Sequence, residues 1–199
     1  MKTSVLLLLS ALCCMACQTL RRGDLLFHLP ATSNHITSVT RGQADHVAIY
    51  LGGDSVLEAI PRQGVVVNSL QEVLQREDGR YVSARVKDTD TEQSISTARQ
   101  WLGLPYDSVF LPGTEALYCS ELVQLSYVNR QGKRIFDPIA MSFHDDSGRI
   151  TPYWTQFYGR LHMDVPEGEA GSNPSDMMSR KEVIIKKCIK NVRHARVYK

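Results

Sequence analysis

The feature that most constrains the fold is a pair of apolar runs, residues 45–51 and 55–60, joined by Gly52-Gly53-Asp54. Both runs have the length and the β-branched content of strands, and the glycines suit the positive φ angles of a tight turn. The sequence therefore predicts an antiparallel hairpin. Counting back from the turn, His46 on one strand lies near Glu58 on the other, and in a regular register both project from the same side.

The elements around this hairpin are grouped, with no strict alternation of strands and helices. Further strands are predicted at 23–27, 65–67 and 81–86, and capping boxes predict helices that begin at Ser69 (with Glu72) and at Thr89 (with Glu92). The second helix has an inward stripe of Ile95, Ala98, Trp101 and Leu102 and ends at Gly103. Residues 166–179, rich in Gly, Pro and Ser, are predicted to form an extended surface segment. The pattern indicates an α+β fold.

The first 17 residues have the pattern of a lipoprotein-type signal peptide. A positive Lys2 precedes an apolar stretch too short to span a bilayer, and Cys17 directly follows the small residue Ala16. Lipidation of Cys17 and ordinary cleavage after Ala16 remain alternatives. Both predict export to the bacterial cell envelope, and lipidation adds a membrane anchor.

The mature chain is predicted to be one domain followed by a short tail. Residues 21–179 form the domain, and residues 180–199 form a basic tail that either contacts anionic lipids or is a solvated terminal helix or strand. The formal net charge of the whole chain is +2. Because the charge is small and aromatic residues do not interleave the basic ones, no nucleic-acid partner is predicted.

A single cysteine, Cys119, opens an apolar segment whose spacing fits a helix from residue 122 to 128. The first turn of a helix has unpaired N–H groups and the positive end of the helix dipole, and both favour a thiolate. Cys119 is therefore either a nucleophile or a small buried thiol. A disulfide with Cys188 is not favoured, because these two cysteines form no disulfide framework.

A cysteine nucleophile needs a base and a group that orients the base. His46 is the candidate base, since it opens the strongest predicted strand, and Glu58 is the candidate orienting carboxylate. The other histidines lie in segments without evident partners: His28, His35, His144, His162 and His194. Zinc ligands usually come in close pairs that this sequence lacks, so no metal and no other cofactor is predicted.

Four blocks of the sequence together resemble the NlpC-type papain-like cysteine amidases: residues 46–52, Glu58, residues 102–106 and residues 118–123. In the common form of that superfamily the cysteine block precedes the histidine block, whereas here His46 comes first. The inverted order resembles the circularly permuted YiiX-like (YaeF-like) branch, which shares Gly23-Asp24-Leu25-Leu26-Phe27. The resemblance spans roughly residues 21–179.

The resemblance implies a role for each matching residue. Cys119 would be the nucleophile, His46 the base and later the acid, and Glu58 the third member of a triad. Tyr106 and the backbone N–H of Cys119 would line the oxyanion site. Tyr118 and Glu121 stand where peptidoglycan hydrolases of the superfamily keep Asp and Gly, which weakens transfer of a cell-wall substrate.

The implied fold is a circularly permuted papain-like one, with a small antiparallel sheet or partial barrel packed against the nucleophile helix. The predicted function is hydrolysis of a peptide amide or a lipid-like N-acyl amide through a cysteine thioester. Two alternatives are an acyltransferase of the same superfamily and a non-catalytic lipoprotein that binds a ligand in the cleft.

Overall fold

A computed structural model describes residues 20–40, 42–76 and 78–189. The predicted signal peptide, Cys17 and the last ten residues of the basic tail lie outside these ranges. The described elements follow one another in the order β1 (Leu25–Pro30), β2 (His46–Gly52), β3 (Ser55–Ile60), β4 (Gly64–Ser69), α1 (Leu70–Gln75), β5 (Gly79–Val86), α2 (Thr91–Gln100), α3 (Cys119–Ser126), β6 (Ile139–Ala140), α4 (Pro152–Arg160), β7 (Ala170–Gly171), α5 (Pro174–Ser179) and β8 (Val183–Ile189). Within this part of the chain, no helix is long and apolar enough to cross a bilayer.

Six strands form one antiparallel sheet in the order β4-β3-β2-β1-β5-β8. The predicted hairpin is its β2–β3 pair, and its register runs from Gly52 opposite Ser55 to Ile49 opposite Leu57. On the other side of β2, β1 pairs with it as far as His28 opposite His46. Strand β8 forms one edge of the sheet, although the sequence pattern assigned these residues to the basic tail. A short second sheet joins β6 to β7.

Each face of the six-stranded sheet is covered by helices because apolar side chains project from both sides of its central strands. On one face the side chains of β1, β2, β3 and β5 pack against α2, α3 and α5; the helix residues in this core include Ile95, Ala98, Leu122, Val123 and Met177. On the other face a smaller core forms against α1, with Val73 and Leu74 from the helix and Leu26, Ala48, Tyr50, Val56 and Tyr81 from the sheet.

A third cluster, separate from both faces, surrounds helix α4. Its buried members are Val39, Met141, Phe143, Trp154 and Tyr158. The aromatic rings meet mostly edge to face, as between Phe143 and Tyr158, whose centroids lie 5.6 Å apart. This cluster closes the side of the molecule next to the start of α3.

Three local predictions need correction. Helix α2 is capped by Asp90, which accepts the N–H of Gln93 at 3.0 Å. Thr89 lies one residue before this cap, and its hydroxyl donates to the carbonyl of Val86. Leu102 is 41% exposed, since α2 ends before it. Residues 166–179 are not an extended surface segment, because they contain β7 and the partly buried helix α5. The capping box of Ser69 and Glu72 is confirmed at α1.

The turn between β3 and β4 packs directly against the segment that precedes Tyr106. Val65 donates its N–H to the carbonyl of Leu104 at 2.9 Å, and Gly103 donates to the carbonyl of Val65 at 2.9 Å. Gly64 has a φ of +75°, and a Cβ at this position would collide with the backbone of Leu104. Glycine is therefore required here for both conformation and space.

We predict that Gly64→Ala destabilises the fold by about 3 kcal/mol or more, because left-handed strain and a backbone collision add together. The matched control is Gly53→Ala, whose φ is +59° but whose Cβ would meet no atom within 4 Å. That variant should lose only about 1 kcal/mol. Urea unfolding measures both values, and equal losses would contradict the close approach of the two backbones.

Candidate active site

Cys119 is the first residue of α3, and its side chain is largely buried. The residue is 6% exposed, and its thiol is free. The N-cap residue, Tyr118, makes no side-chain hydrogen bond to the helix terminus. The N–H groups of the first turn are therefore not capped by a side chain, and they lie beside the sulfur with the positive end of the helix dipole.

His46 links Cys119 to Glu58. Its Nε2 lies 2.8 Å from Oε2 of Glu58, and the imidazole also lies beside the side chain of Cys119, with which it interacts electrostatically. Because Nε2 faces the carboxylate, Nδ1 is the nitrogen left to face the sulfur. The structure thus brings together the three side chains that the sequence singled out.

Glu58 is completely buried, and both of its carboxylate oxygens are occupied. Oε1 accepts from Nδ2 of Asn68 at 2.9 Å and from Nη2 of Arg76 at 2.7 Å, while Oε2 faces His46. Burial alone would raise the pKa of Glu58, but the hydrogen bond and charge of His46, with the bonds from Arg76 and Asn68, lower it to about 2.

The charge on Glu58 acts in turn on His46. Burial disfavours the imidazolium, but the interactions of the ring with Cys119 and with the carboxylate of Glu58 outweigh burial and raise the pKa of His46 to about 10. The ring is therefore held in its protonated form near neutral pH. A protonated imidazole beside the sulfur is the arrangement that stabilises a thiolate.

Asn68 and Arg76 belong to this network but were absent from the predicted set. Asn68 could have been found from the strand register, because it lies opposite Val56 on β4, one same-face position from Glu58. Arg76 follows the end of α1, and no pattern in the sequence signals that this helix directs it toward the hairpin.

His28, which the sequence left without a partner, supports the start of β2. It is 1% exposed, and its Nδ1 lies 2.7 Å from Oδ1 of Asp45. Asp45 also accepts from Asn34. The prediction for His28 was wrong because its partner becomes visible only when β1 pairs with β2 and sets His28 opposite His46.

Tyr106 lies beside Cys119, and both residues line the same two cavities. Burial, followed by electrostatic interaction with Cys119 and Asp107, raises the pKa of the Tyr106 phenol well above its usual value. The hydroxyl therefore keeps its proton and can act as a donor. This placement is compatible with the predicted oxyanion site, which the backbone N–H of Cys119 would complete.

Tyr118 and Glu121 fix the backbone on either side of Cys119. The hydroxyl of Tyr118 accepts the N–H of Ser172 at 2.9 Å. Glu121 accepts backbone N–H groups of Tyr118 and Gly113, yet its Oε2 is buried without a partner. Burial and the nearby charge of Asp107 raise the pKa of Glu121 to about 8. These two residues hold the loop that leads into α3.

Two cavities meet at Cys119 and Tyr106. An open cleft of about 530 Å³ is lined by His46, Arg62 and Arg76, together with those two residues. A narrower, mostly apolar groove of about 60 Å³ extends on the other side toward Trp154. Across the ranges that the structure describes, no group of three or more His, Cys, Asp and Glu side chains is placed to hold a metal ion.

Comparison with known proteins places this geometry in context. The family model described as "Permuted papain-like amidase enzyme, YaeF/YiiX, C92 family" matches residues 19–183. The uncharacterized protein YiiX of Escherichia coli K12 is 30% identical over 103 residues, which are 49% of this chain and 50% of that protein. The chain therefore matches about half the length of this curated relative.

A solved structure shares the fold. It is described as metalloprotein YiiX from Escherichia coli O157:H7, DUF1105, and it superposes with a TM-score of 0.70 over 85% of this chain and 98% of that chain. The sequence identity is 22%, so this similarity establishes the architecture alone. Together with the family model, it confirms the predicted α+β fold of permuted papain-like type, with an antiparallel sheet against the helix that begins at Cys119.

We predict that the carboxyl of Glu121 makes stability depend on pH. Its pKa is about 8 in the fold and 4.5 in the reference state, so between these values the folded chain keeps a proton that the unfolded chain has lost. The free energy of unfolding therefore falls as the pH rises through this range. In Glu121→Gln, which mimics the protonated carboxyl, this fall should be largely absent.

Urea unfolding at a series of pH values tests this prediction. The exposed Glu115→Gln, located in the same loop region, is the control and should behave as wild type. Identical pH profiles for wild type and Glu121→Gln would show that Glu121 is ionised in the folded protein at neutral pH.

Proposed function

The chain belongs to the permuted papain-like amidases of the YaeF/YiiX, C92 family, and from this we propose that it is a cysteine hydrolase that cleaves an amide bond through a thioester intermediate. Cys119 is the nucleophile, His46 the base and acid, and Glu58 the group that orients His46. The observation that carries the proposal is that Cys119 and His46 line the same cleft, while the imidazole of His46 is hydrogen-bonded on its other side to the buried Glu58.

The proposed reaction starts from the Cys119 thiolate and the His46 imidazolium. The sulfur attacks the carbonyl carbon, and the carbonyl oxygen becomes an oxyanion that accepts the Cys119 N–H and the Tyr106 hydroxyl. When the intermediate collapses, the C–N bond breaks and the leaving amine takes the proton from His46.

The second half of the reaction releases the acyl group. Neutral His46 accepts a proton from water, and the hydroxide attacks the thioester carbon. The C–S bond then breaks, which gives a carboxylic acid and restores the thiolate. Glu58 stays ionised throughout, because its low pKa and its bonds to Asn68 and Arg76 do not depend on the reaction. Its role is to hold the His46 tautomer.

The metalloprotein description belongs to the structural neighbour, and the residues here do not match a metal site. Both oxygens of Glu58 already bind Asn68, Arg76 and His46. That leaves Cys119 and His46 as neighbouring ligands, fewer than the three protein ligands of a catalytic zinc site. The mechanism above therefore includes no metal step.

We predict that Cys119→Ser and His46→Ala each lower kcat/KM for amide hydrolysis by about 10²–10⁴-fold. Glu58→Gln, which keeps the shape of the side chain but removes its charge, should lower kcat more than it raises KM. The assay is a hydrolysis screen of stem peptides and N-acyl amino acids with mass-spectrometric detection of the released acid. His162→Asn alters an exposed histidine of the described chain and serves as the control.

A readout that needs no substrate accompanies the screen. The rate at which iodoacetamide alkylates Cys119 should fall in His46→Ala, because the imidazolium no longer stabilises the thiolate. A wild-type rate equal to that of a free thiol, unchanged in His46→Ala, would contradict the catalytic assignment. It would favour the alternative of a lipoprotein that binds a ligand in the cleft.

The acyltransferase alternative is tested in the hydrolysis screen. An added amine or alcohol acceptor would then give an acylated product, which mass spectrometry detects.

We further propose that the protein is exported and that lipidated Cys17 anchors it to the cell envelope. Labelled palmitate should be incorporated into the full chain expressed in bacteria. Incorporation should be lost in Cys17→Ser and retained in Cys14→Ser, whose cysteine lies in the same segment. Equal labelling of both variants would contradict lipidation at Cys17, and absence of labelling with export retained would favour cleavage after Ala16.

A further inference from the structure

The groove and the cleft offer different chemistry on the two sides of Cys119. Apolar and aromatic side chains dominate the walls of the groove, which include Ile36, Val39, Phe110, Met141, Phe143 and Trp154. The cleft is more polar and carries the guanidinium groups of Arg62 and Arg76. A substrate that crosses Cys119 therefore meets an apolar surface at one end and a cationic surface at the other.

The position of His46 determines which half of an amide enters which space. His46 lines the cleft but is not among the residues that line the groove. Under the proposed function, on which this inference rests, His46 gives its proton to the leaving amine. The amine half of the substrate must therefore lie in the cleft, and the acyl half, which stays on the sulfur, lies toward the groove.

The charged groups of the cleft differ in what they already bind. Arg76 is paired with Glu58 at 2.7 Å. Asp45, an acidic residue that lines both the cleft and the groove, accepts from His28 and Asn34. Arg62 is exposed, and it makes no hydrogen bond or ion pair with another residue in the described ranges. The Arg62 charge is therefore available to a ligand.

The backbone at Arg62 is also unusual for such a residue. Its φ is +69°, a left-handed conformation that glycine or asparagine adopts at lower cost. The turn that carries it is held against the segment before Tyr106 by the hydrogen bonds of Val65 and Gly103. The position of Arg62 relative to the cleft is thus fixed by packing rather than by a partner of its own side chain.

We propose that Arg62 recognises an anionic group on the amine half of the substrate. The substrate class is then an amide that joins an apolar acyl group to an amine bearing a carboxylate, as in an N-acyl amino acid. Guanidinium groups bind carboxylates through paired, charge-assisted hydrogen bonds, so Arg62 sets specificity and takes no part in the chemical step.

The first test compares three amides that share a hexanoyl group: N-hexanoylglycine, N-hexanoylethanolamine and N-(2-aminoethyl)hexanamide. Wild-type protein should have the highest kcat/KM for the glycine amide. Arg62→Asn, chosen because asparagine tolerates the backbone conformation, should raise KM for that substrate by about 10- to 100-fold. It should change kcat/KM for the neutral ethanolamide by less than about twofold. Arg62→Lys should retain part of the preference, since it keeps the charge.

Arg130→Gln is the control, because Arg130 is an exposed arginine that lines none of the cavities at Cys119. It should leave all three substrates at wild-type rates. A wild-type enzyme that hydrolyses the three amides equally, or a glycine preference that survives in Arg62→Asn, would overturn the assignment of Arg62 while leaving the hydrolase proposal intact.

The second test does not require turnover. Iodoacetate is an anion and iodoacetamide is its neutral analogue, so the ratio of their alkylation rates at Cys119 reports an anion-binding group near the sulfur. Mass spectrometry of the peptide containing Cys119 separates this thiol from the other cysteines. The ratio should fall several-fold in Arg62→Asn and stay unchanged in Arg130→Gln.

Together the two tests distinguish failure of the Arg62 proposal from failure of the hydrolase proposal. An Arg62-dependent alkylation ratio supports the anion site even where none of the three amides is hydrolysed. A reactive Cys119 whose ratio does not change in Arg62→Asn refutes the role of Arg62 alone. A Cys119 that reacts as an ordinary free thiol, with no hydrolysis of any substrate in the screen, refutes the proposed function.

Discussion

The ionised carboxylate of Glu58, completely buried between β3 and the end of α1, is the constraint on which the rest of the site depends. A buried charge persists only where hydrogen bonds and opposite charges replace its lost hydration. Here the replacement comes from His46, Asn68 and Arg76. Of these three partners, His46 also lies beside Cys119. One imidazole therefore both stabilises the buried carboxylate and contacts the sulfur.

Much of the fold could be predicted because the relevant signals are local. The glycines between β2 and β3 and the capping box at Ser69 specify structure within a few residues, and the apolar spacing after Cys119 does so within one helix. The cap of α2 and the helix α5 were missed for a different reason. Thr89 and Asp90 are adjacent residues of types that both cap helices, and only the structure shows that Asp90 is the cap. Helix α5 packs on α3, a contact between segments that lie far apart in the sequence.

The same distinction holds within the site. His46 and Glu58 could be paired by counting residues from a turn, because the register irregularity between Tyr50 and Gly52 is too small to separate their side chains. The contact of Arg76 with Glu58 and the contact of His28 with Asp45 could not be predicted. The first depends on how α1 packs against β3, and the second depends on how β1 pairs with β2. In the sequence, Glu121 was notable only because related enzymes have glycine at this position. In the structure, its carboxyl group accepts backbone N–H groups of Tyr118 and Gly113, which explains the glutamate.

The order of the strands also separates the site into two parts whose contacts differ in sequence separation. Strands β2, β3 and β4 are consecutive neighbours, so His46, Glu58 and Asn68 come together through short loops with little loss of chain entropy. Cys119 joins them only when a helix distant in the sequence docks on this meander, a contact of high sequence separation. Under the proposed function, the catalytic site is therefore complete only when the core that encloses Cys119 has formed.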